Sequence, residues 1–229
     1  MQQFFHLLPN PFQRLIIPKI LQMMKKRLQP RPILLVQGTG GGKSAVPQTC
    51  GCTSPGITII LENTQALGAD QKGKLDNLDD NSNRIVAWYL NLIKSVPQQD
   101  FIKSTLGLYL RRSITTNPLW ISIFIFASPE KLLSDEWLPT IYAIIDANCL
   151  SLLCIDEVHQ FYKSSASKNA LGDLDTICRV GRSKKIGVVF SSQNINDIPG
   201  GLTSVINTKL MFKTDGYRKT RPGAKGVYT

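Results

Sequence analysis

Short apolar runs alternate with longer amphipathic stretches along most of the chain. Each run is rich in β-branched residues, is apolar at successive positions and is bounded by Gly, Pro or polar residues. The runs are "RPILLVQG", "GITIILEN", "LWISIFIFA", "LSLLCIDE", "KIGVVFSS" and "NTKLMFKT". Runs of this kind predict strands that are buried on both faces of a sheet.

Between these runs, apolar residues recur at helical spacing. The spacing predicts a helix over residues 12 to 28 with Pro18 inside it, and another over 64 to 75. Residues 84 to 112 are predicted to be helical in two pieces broken near Pro97, and "DEWLPTIYAIIDA" and "ALGDLDTICRV" are also predicted helices. Strands that alternate with helices predict an α/β fold, with a mostly parallel sheet and helices on both faces.

The segment "VQGTGGGKSAV", residues 36 to 46, joins the first predicted strand to a helix. Its glycines let the backbone curl so that N–H groups converge on phosphate oxygens, and the helix N-terminus adds a favourable dipole. Lys43 would supply a positive charge near the β- and γ-phosphates, and Ser44 a Mg²⁺ ligand. The usual pattern begins with Gly six residues before the lysine, where this chain has Gln37. We therefore expect ATP and Mg²⁺ as cofactors.

A second candidate for chemistry is "LLCIDEVH", residues 152 to 159, where an apolar strand ends in two acids. The carboxyl edge of an open α/β sheet is where ligands bind. Asp156 would hold Mg²⁺ through water, and Glu157 would orient and deprotonate the attacking water.

The formal net charge is +11, and the basic residues are concentrated toward both ends of the chain. No acidic residue precedes Glu62, and Asp215 is the one acidic residue after Asp197. This distribution predicts a polyanionic partner such as nucleic acid, although solubility and a basic tail are the alternative explanation.

The cysteines and the apolar runs indicate the cellular environment of the protein. Five cysteines without a spacing framework, and only two histidines, favour a reducing environment over disulfides or a zinc site. The N-terminus lacks a signal-peptide pattern, and the longest apolar run is about half of a bilayer span. We therefore expect a soluble, intracellular protein without a membrane partner.

Together, "TGGGKS" and "DEVH" resemble motifs I and II of superfamily 2 helicases, most closely the RecQ-like branch. "PFQRLIIPKIL" resembles the glutamine motif, in which Gln13 would contact adenine. "ITIILENTQALGADQKGKL", with Gln71, resembles motif Ia, which tracks the nucleic-acid backbone. "IFASPEKLL" resembles the motif that contacts the same strand through Ser128, Pro129 and Glu130.

The resemblance implies a RecA-like P-loop ATPase domain over residues 31 to 214. A basic N-terminal helix with the glutamine-motif segment would precede it in residues 1 to 30, and a basic flexible tail would follow in 215 to 229. It also implies DNA rather than RNA as partner, and a nuclear or nucleoid-associated location.

After residue 160 the chain resembles HerA/FtsK-type ring translocases more closely. There "VVFSSQN" would place Gln193 as a γ-phosphate sensor. Arg179 or Arg182 could complete a neighbouring subunit's site, although a role as basic surface residues is the favoured explanation. A superfamily 2 helicase needs a second RecA-like lobe, which 229 residues do not accommodate. We therefore expect either a missing lobe or a homo-oligomer. A basic nucleic-acid-binding module that holds ATP without turnover is a third possibility.

These arguments define three sets of candidate site residues. The catalytic set is Lys43, Glu157 and Gln193. The nucleotide-binding set is Gln13, Gly38, Thr39, Gly40, Gly41, Gly42, Lys43 and Ser44. The metal set is Ser44 and Asp156.

Overall fold

The computed structural model describes most of the chain, with gaps. The described residues are 8–26, 32–38, 40–54, 56–62, 64–78, 84–114, 121–158, 181, 183–184, 186–198, 206 and 208–211. The predicted helix around residues 170 to 180 and the basic tail from 215 to 229 lie outside them.

The described strands form one seven-stranded sheet in the order β3-β4-β2-β5-β6-β1-β7, and every neighbouring pair is parallel. The strands are β1 (Ile33–Val36), β2 (Gly56–Leu61), β3 (Ile85–Tyr89), β4 (Ser122–Ala127), β5 (Leu150–Ile155), β6 (Gly187–Ser192) and β7 (Thr208–Met211). The central strands β1, β2, β4 and β6 are buried along their whole length, as continuous apolar runs require.

Helices cover both faces of this sheet. They are α1 (Pro11–Lys26), α2 (Ala45–Thr53), α3 (Gln65–Asp76), α4 (Val96–Ile114), the short α5 (Pro129–Leu132) and α6 (Leu138–Asp146). Side chains alternate across β2, so that Ile60 packs with α1 and α2 whereas Ile59 packs with α4 and α6. The predicted α/β fold, with a parallel sheet between two helical layers, is therefore confirmed.

The predicted helix over residues 84 to 112 is wrong in its first part. Ile85–Tyr89 forms the edge strand β3, paired in parallel with β4, and a short 3₁₀ turn follows at Leu90–Leu92. Pro97 is the second residue of α4, where the missing N–H of proline costs nothing. Pro139 likewise lies in the first turn of α6 and does not interrupt it.

None of the described helices combines the length and apolarity that a membrane span requires.

Candidate nucleotide-binding site

The sheet order brings three chain segments to one edge. Strands β5, β6 and β1 are neighbours, so the segments that follow their carboxyl ends lie side by side. Gln37 N donates a hydrogen bond to Ser192 O over 3.1 Å, which continues the β1–β6 pairing beyond the end of β1. The loop after β1, the two acids after β5 and Gln193 after β6 therefore share one region.

Two glycines give the loop after β1 its shape. Gly40 and Gly42 have φ angles of 75° and 77°, in the left-handed region that side chains disfavour. Gly41 is required for a different reason, because a Cβ there would collide with the side chain of Gln37. The side chain of Gln37, at the usual first glycine position, therefore packs directly against the backbone of Gly41. The predicted contact residue Thr39 lies outside the described residues.

Lys43 reaches across the loop toward the acids. Its side chain is buried, and Nζ donates a 2.8 Å hydrogen bond to Gln37 O. The same nitrogen lies 3.3 Å from Glu157 Oε1. A buried ammonium needs such partners, because an unpaired buried charge is costly. The structure thus brings Lys43 and Glu157 into an ion pair at the mouth of the loop.

Ser44 and Asp156 also meet at this edge. The Ser44 hydroxyl donates to Asp156 Oδ2 over 3.4 Å. The other carboxylate oxygen accepts hydrogen bonds from the Ser191 hydroxyl and, over 3.1 Å, from Glu157 N. Burial raises the pKa of Asp156, while the Ser191 hydrogen bond and the Lys43 charge act against that rise.

The Ser44 hydroxyl and the Asp156 carboxylate are hard oxygen donors, which fit Mg²⁺. Within the described part of the chain, no group of three or more His, Cys, Asp or Glu side chains could hold a metal ion. A magnesium ion at this position would therefore take most of its ligands from phosphate and water.

The backbone of Glu157 is held in an unfavourable conformation. Its φ angle is 47°, in the left-handed region, which costs about 1–2 kcal/mol for a residue with a side chain. Gln193 Nε2 donates a 3.1 Å hydrogen bond to Glu157 Oε1, the oxygen that also faces Lys43. Backbone strain of this sort clusters at functional sites, and the Glu157 carboxylate faces Lys43 of the loop.

Gln13, at the start of α1, stabilises the glycine-rich loop through hydrogen bonds. Its Nε2 donates to Gly42 O over 3.1 Å, and its Oε1 accepts from Asn10 N over 3.0 Å. Asn10 returns a bond by accepting from Gln13 N over 2.9 Å, and its Nδ2 donates to Gly41 O over 3.1 Å. The predicted adenine contact of Gln13 stays a prediction. Sequence reasoning missed Asn10, although Asn-x-x-Gln before an apolar helix is a capping-box pattern.

A second polar cluster lies farther along the same edge. Ser128 caps α5, and Asn91 in the 3₁₀ turn holds it by two bonds. Ser128 N donates to Asn91 Oδ1 over 2.8 Å, and Asn91 Nδ2 donates to Ser128 Oγ over 3.0 Å. The adjoining Glu130 is exposed. Asn91 thus fixes the predicted Ser128–Glu130 contact segment, and sequence reasoning missed it because its surroundings were predicted to be helical.

Gln71, in the segment that resembles motif Ia, is buried. Its Oε1 accepts a 3.0 Å hydrogen bond from Gln48 Nε2, which ties α3 to α2. Any contact of α3 with a nucleic acid must therefore come from other residues. Arg179 and Arg182 lie outside the described residues.

The chain is similar to known helicases over different shares of its length. No protein-family model matches it. It is 32% identical over 126 residues to "RecQ-like DNA helicase BLM" of Xenopus laevis. That match covers 55% of this chain but only 8% of the relative, so the chain spans a small part of that protein's length.

Solved helicase structures resemble the fold. The "hypothetical ATP-dependent RNA helicase" from Sulfolobus tokodaii has a TM-score of 0.56 at 15% identity, covering 90% of this chain and 56% of that one. The DUF1998 helicase MrfA bound to DNA and AMPPNP also gives 0.56, at 18% identity, covering 87% of this chain and 27% of that one. Identities this low establish fold alone. The chain thus has the fold of a RecA-like lobe of superfamily 2 helicases and, over about half of its length, is a distant relative of a RecQ-like DNA helicase.

Proposed function

We propose that this chain is the ATP-binding lobe of a RecQ-like DNA helicase, in which ATP hydrolysis is coupled to nucleic-acid binding. One observation carries the proposal: Lys43 extends from the glycine-rich loop to within 3.3 Å of Glu157, beside the Ser44–Asp156 contact. A lysine, a hydroxyl and two acids around a glycine-rich loop are the groups that phosphoryl transfer requires.

Each of these groups has a role in the proposed reaction. The Lys43 ammonium, held by Gln37 O and Glu157, would contact the β- and γ-phosphates. The Ser44 hydroxyl and Asp156 would bind Mg²⁺, which neutralises charge that develops on the phosphates. Glu157 would orient water and accept its proton, and Gln193 would sense the γ-phosphate through the oxygen it shares with Lys43.

A nucleic-acid partner is supported by charge and by the relatives. The net charge is +11, and the Ser128–Glu130 segment is held by Asn91 at the carboxyl edge of the sheet. The Xenopus relative is named a DNA helicase, and MrfA has been solved with DNA. DNA is therefore the partner that we propose.

Turnover by this lobe alone should be weak. Helicase-type motors complete the site with an arginine from a second lobe or subunit, and such an arginine contributes ~10³ to 10⁵ in rate in related phosphoryl transfers. The chain spans 8% of its curated relative and about half or less of the solved helicases, so we propose that a second lobe supplies the arginine.

The test is ATP hydrolysis by the purified chain over a range of protein concentrations, with and without single-stranded DNA. We expect clear nucleotide binding and a low rate, stimulated by DNA, that stays proportional to protein. Lys43→Ala serves as the control for contaminating activity. If the wild-type chain does not bind nucleotide, the proposal is wrong.

The same protein should bind DNA in a strongly salt-dependent manner. For single strands, log K falls with log salt with a slope of about −0.7 per neutralised phosphate. If the affinity for DNA does not change with salt concentration, the +11 charge does not contribute to nucleic-acid binding.

A ring-forming translocase is the second candidate, favoured by the 3.1 Å hydrogen bond between Gln193 and Glu157. The resemblance to HerA/FtsK-type ATPases implies that Gln193 senses the γ-phosphate, and a hydrogen bond to the proposed base Glu157 is consistent with that role. In the same assay, a ring predicts a rate that rises faster than linearly with protein concentration, together with a larger mass by light scattering.

A further inference from the structure

Glu62 lies beside the proposed magnesium ligand Asp156 but takes no part in the site described above. It follows the last residue of β2, and Asp156 follows the last residue of β5. The two strands are paired as Leu61 to Ile155, and Asp156 N donates to Leu61 O over 3.0 Å, so the pairing continues past the strand ends. The two acids therefore lie side by side on adjacent strands.

Both acids also face the helix that begins after the phosphate loop. Ile60 and Cys154, two residues before Glu62 and Asp156, belong to the apolar cluster that packs against α1 and α2. Side chains two residues apart on a strand share a face. Burial raises the pKa of Cys154, and the charges of Asp156 and Glu62 raise it further, as expected if all three groups lie on one face. Glu62 thus lies on the face of the sheet that α1 and α2 cover, as Asp156 does.

The surroundings of Glu62 are unusual for a buried carboxyl group. Its exposed fraction is 1%, and its carboxyl group lies near the Gln71 side chain but in well-formed hydrogen-bond geometry with none of the described residues. Burial raises its pKa to about 8, the negative charges of Asp156 and Asp70 add to the rise, and the nearby Gln71 amide opposes it. Buried acids are normally paired or coordinate a metal, and neighbouring acids of one sign favour a cation between them.

We propose that Glu62 is a positioning residue for magnesium, and that its carboxylate accepts hydrogen bonds from water molecules on the ion held by Ser44 and Asp156. The inference rests on the proposed nucleotide-binding function of the same site. Mg²⁺ dehydrates reluctantly and keeps several waters when one or two protein groups bind it. Those waters need acceptors, and partners of this kind outside the ligand set typically change metal affinity 10–100-fold.

The test measures how much Mg²⁺ is needed for nucleotide binding. A fluorescent, non-hydrolysable ATP analogue is titrated with Mg²⁺ in the presence of wild-type chain, Glu62→Gln, Glu62→Asp and the control Glu136→Gln. Glu136 is matched in chemistry, but its partner is Lys131, 2.6 Å away. Binding of Mn²⁺ with ADP, followed by electron paramagnetic resonance, gives a second readout that needs no turnover.

We expect Glu62→Gln to raise the Mg²⁺ midpoint about tenfold or more, while nucleotide affinity in EDTA stays unchanged. Glu62→Asp keeps a carboxylate and should recover part of the difference, and Glu136→Gln should match the wild type. If Glu62→Gln does not fold, Glu62→Asp provides the test. Its Mg²⁺ midpoint should then be raised while its nucleotide affinity in EDTA stays unchanged.

Two results would overturn the inference while leaving the proposed function intact. An unchanged Mg²⁺ midpoint in Glu62→Gln would make Glu62 a core group without a metal role. Equal weakening with and without Mg²⁺ would make its role structural. A wild-type chain that binds no nucleotide under either condition would overturn both proposals at once.

Discussion

Gln193 donates a hydrogen bond through Nε2 to Glu157 Oε1, 3.1 Å away, and the same oxygen lies 3.3 Å from Lys43 Nζ. The three side chains come from segments that follow three neighbouring strands. An arriving γ-phosphate would compete with Glu157 for both partners. If the site binds nucleotide as we propose, the nucleotide state would alter the end of β6 through one carboxylate oxygen.

Gln193→Ala should uncouple nucleotide state from nucleic-acid affinity. Coupling between two sites typically changes affinity about 5–150-fold, and we expect the ratio of DNA affinities with ATP analogue and with ADP to fall close to one. Fluorescence anisotropy with labelled single-stranded DNA measures this ratio. The exposed Gln22→Ala is a matched control. A ratio unchanged from wild type would remove Gln193 from the sensor role.

Lys43→Ala should weaken nucleotide binding severely. Hydrogen bonds to charged groups contribute about 1.5–3 kcal/mol, which corresponds to a roughly ten- to hundredfold loss of affinity. Isothermal titration with ATP analogue measures the loss. Lys184→Ala is the control, since Lys184 pairs with Asp146 on the surface, 3.0 Å away. Equal affinities in the two variants would contradict a phosphate-binding role for the loop.

Glu157→Gln should separate binding from hydrolysis. The amide keeps the size of the side chain but cannot accept a proton, so we expect ATP binding near the wild-type level and turnover lower by roughly 10²–10⁴-fold. A coupled assay for ADP release, with Glu136→Gln as control, measures the effect. Substantial hydrolysis in the variant would assign the base to another group.

The phosphate loop could be predicted because its chemistry is local. The glycines, Lys43 and Ser44 are contiguous, and the buried strand before them is apolar along its whole length. The two acids after β5 could be predicted for the same reason. That these segments meet followed from the rule that parallel strands bring their carboxyl ends to one edge.

Other features depend on contacts between distant parts of the chain. The edge strand β3 is only partly buried, and its short sequence "IVAWY" is also compatible with a helix. Asn91 reaches Ser128 across 37 positions, and Asn10 reaches Gly41 across 31. The strand order must be known before these contacts can be predicted. The same holds for the burial of Glu62 beside Asp156.

The Gln13→Ala variant tests whether Gln13 stabilises the phosphate loop or contacts the adenine base of the nucleotide. The hydrogen bond from Gln13 Nε2 to Gly42 O fixes the loop whatever the base is. Its loss should cost about 0.5–1.5 kcal/mol and weaken ATP and GTP to a similar extent. Parallel titrations with both nucleotides measure this, and Asn10→Ala should behave in the same way. A loss confined to ATP would instead support the adenine contact.

Glu62 should make the stability of the metal-free chain depend on pH. Its pKa is raised from 4.5 to about 8 in the folded state, so the folded chain binds more protons than the unfolded chain between these values. The stability associated with the protonated carboxyl is fully present below about pH 4.5 and is lost as pH rises through about 8.

The measurement is the thermal midpoint of wild type and Glu62→Gln in EDTA from pH 5 to 9. Because the amide does not titrate, the variant should gain stability over the wild type as pH rises. Differences between the two proteins cancel the titrating groups that are remote from Glu62, whereas Asp156, which interacts with Glu62, contributes to the difference. A constant difference across this range would mean that Glu62 binds protons equally in the folded and unfolded chains, so that its pKa is not raised by folding.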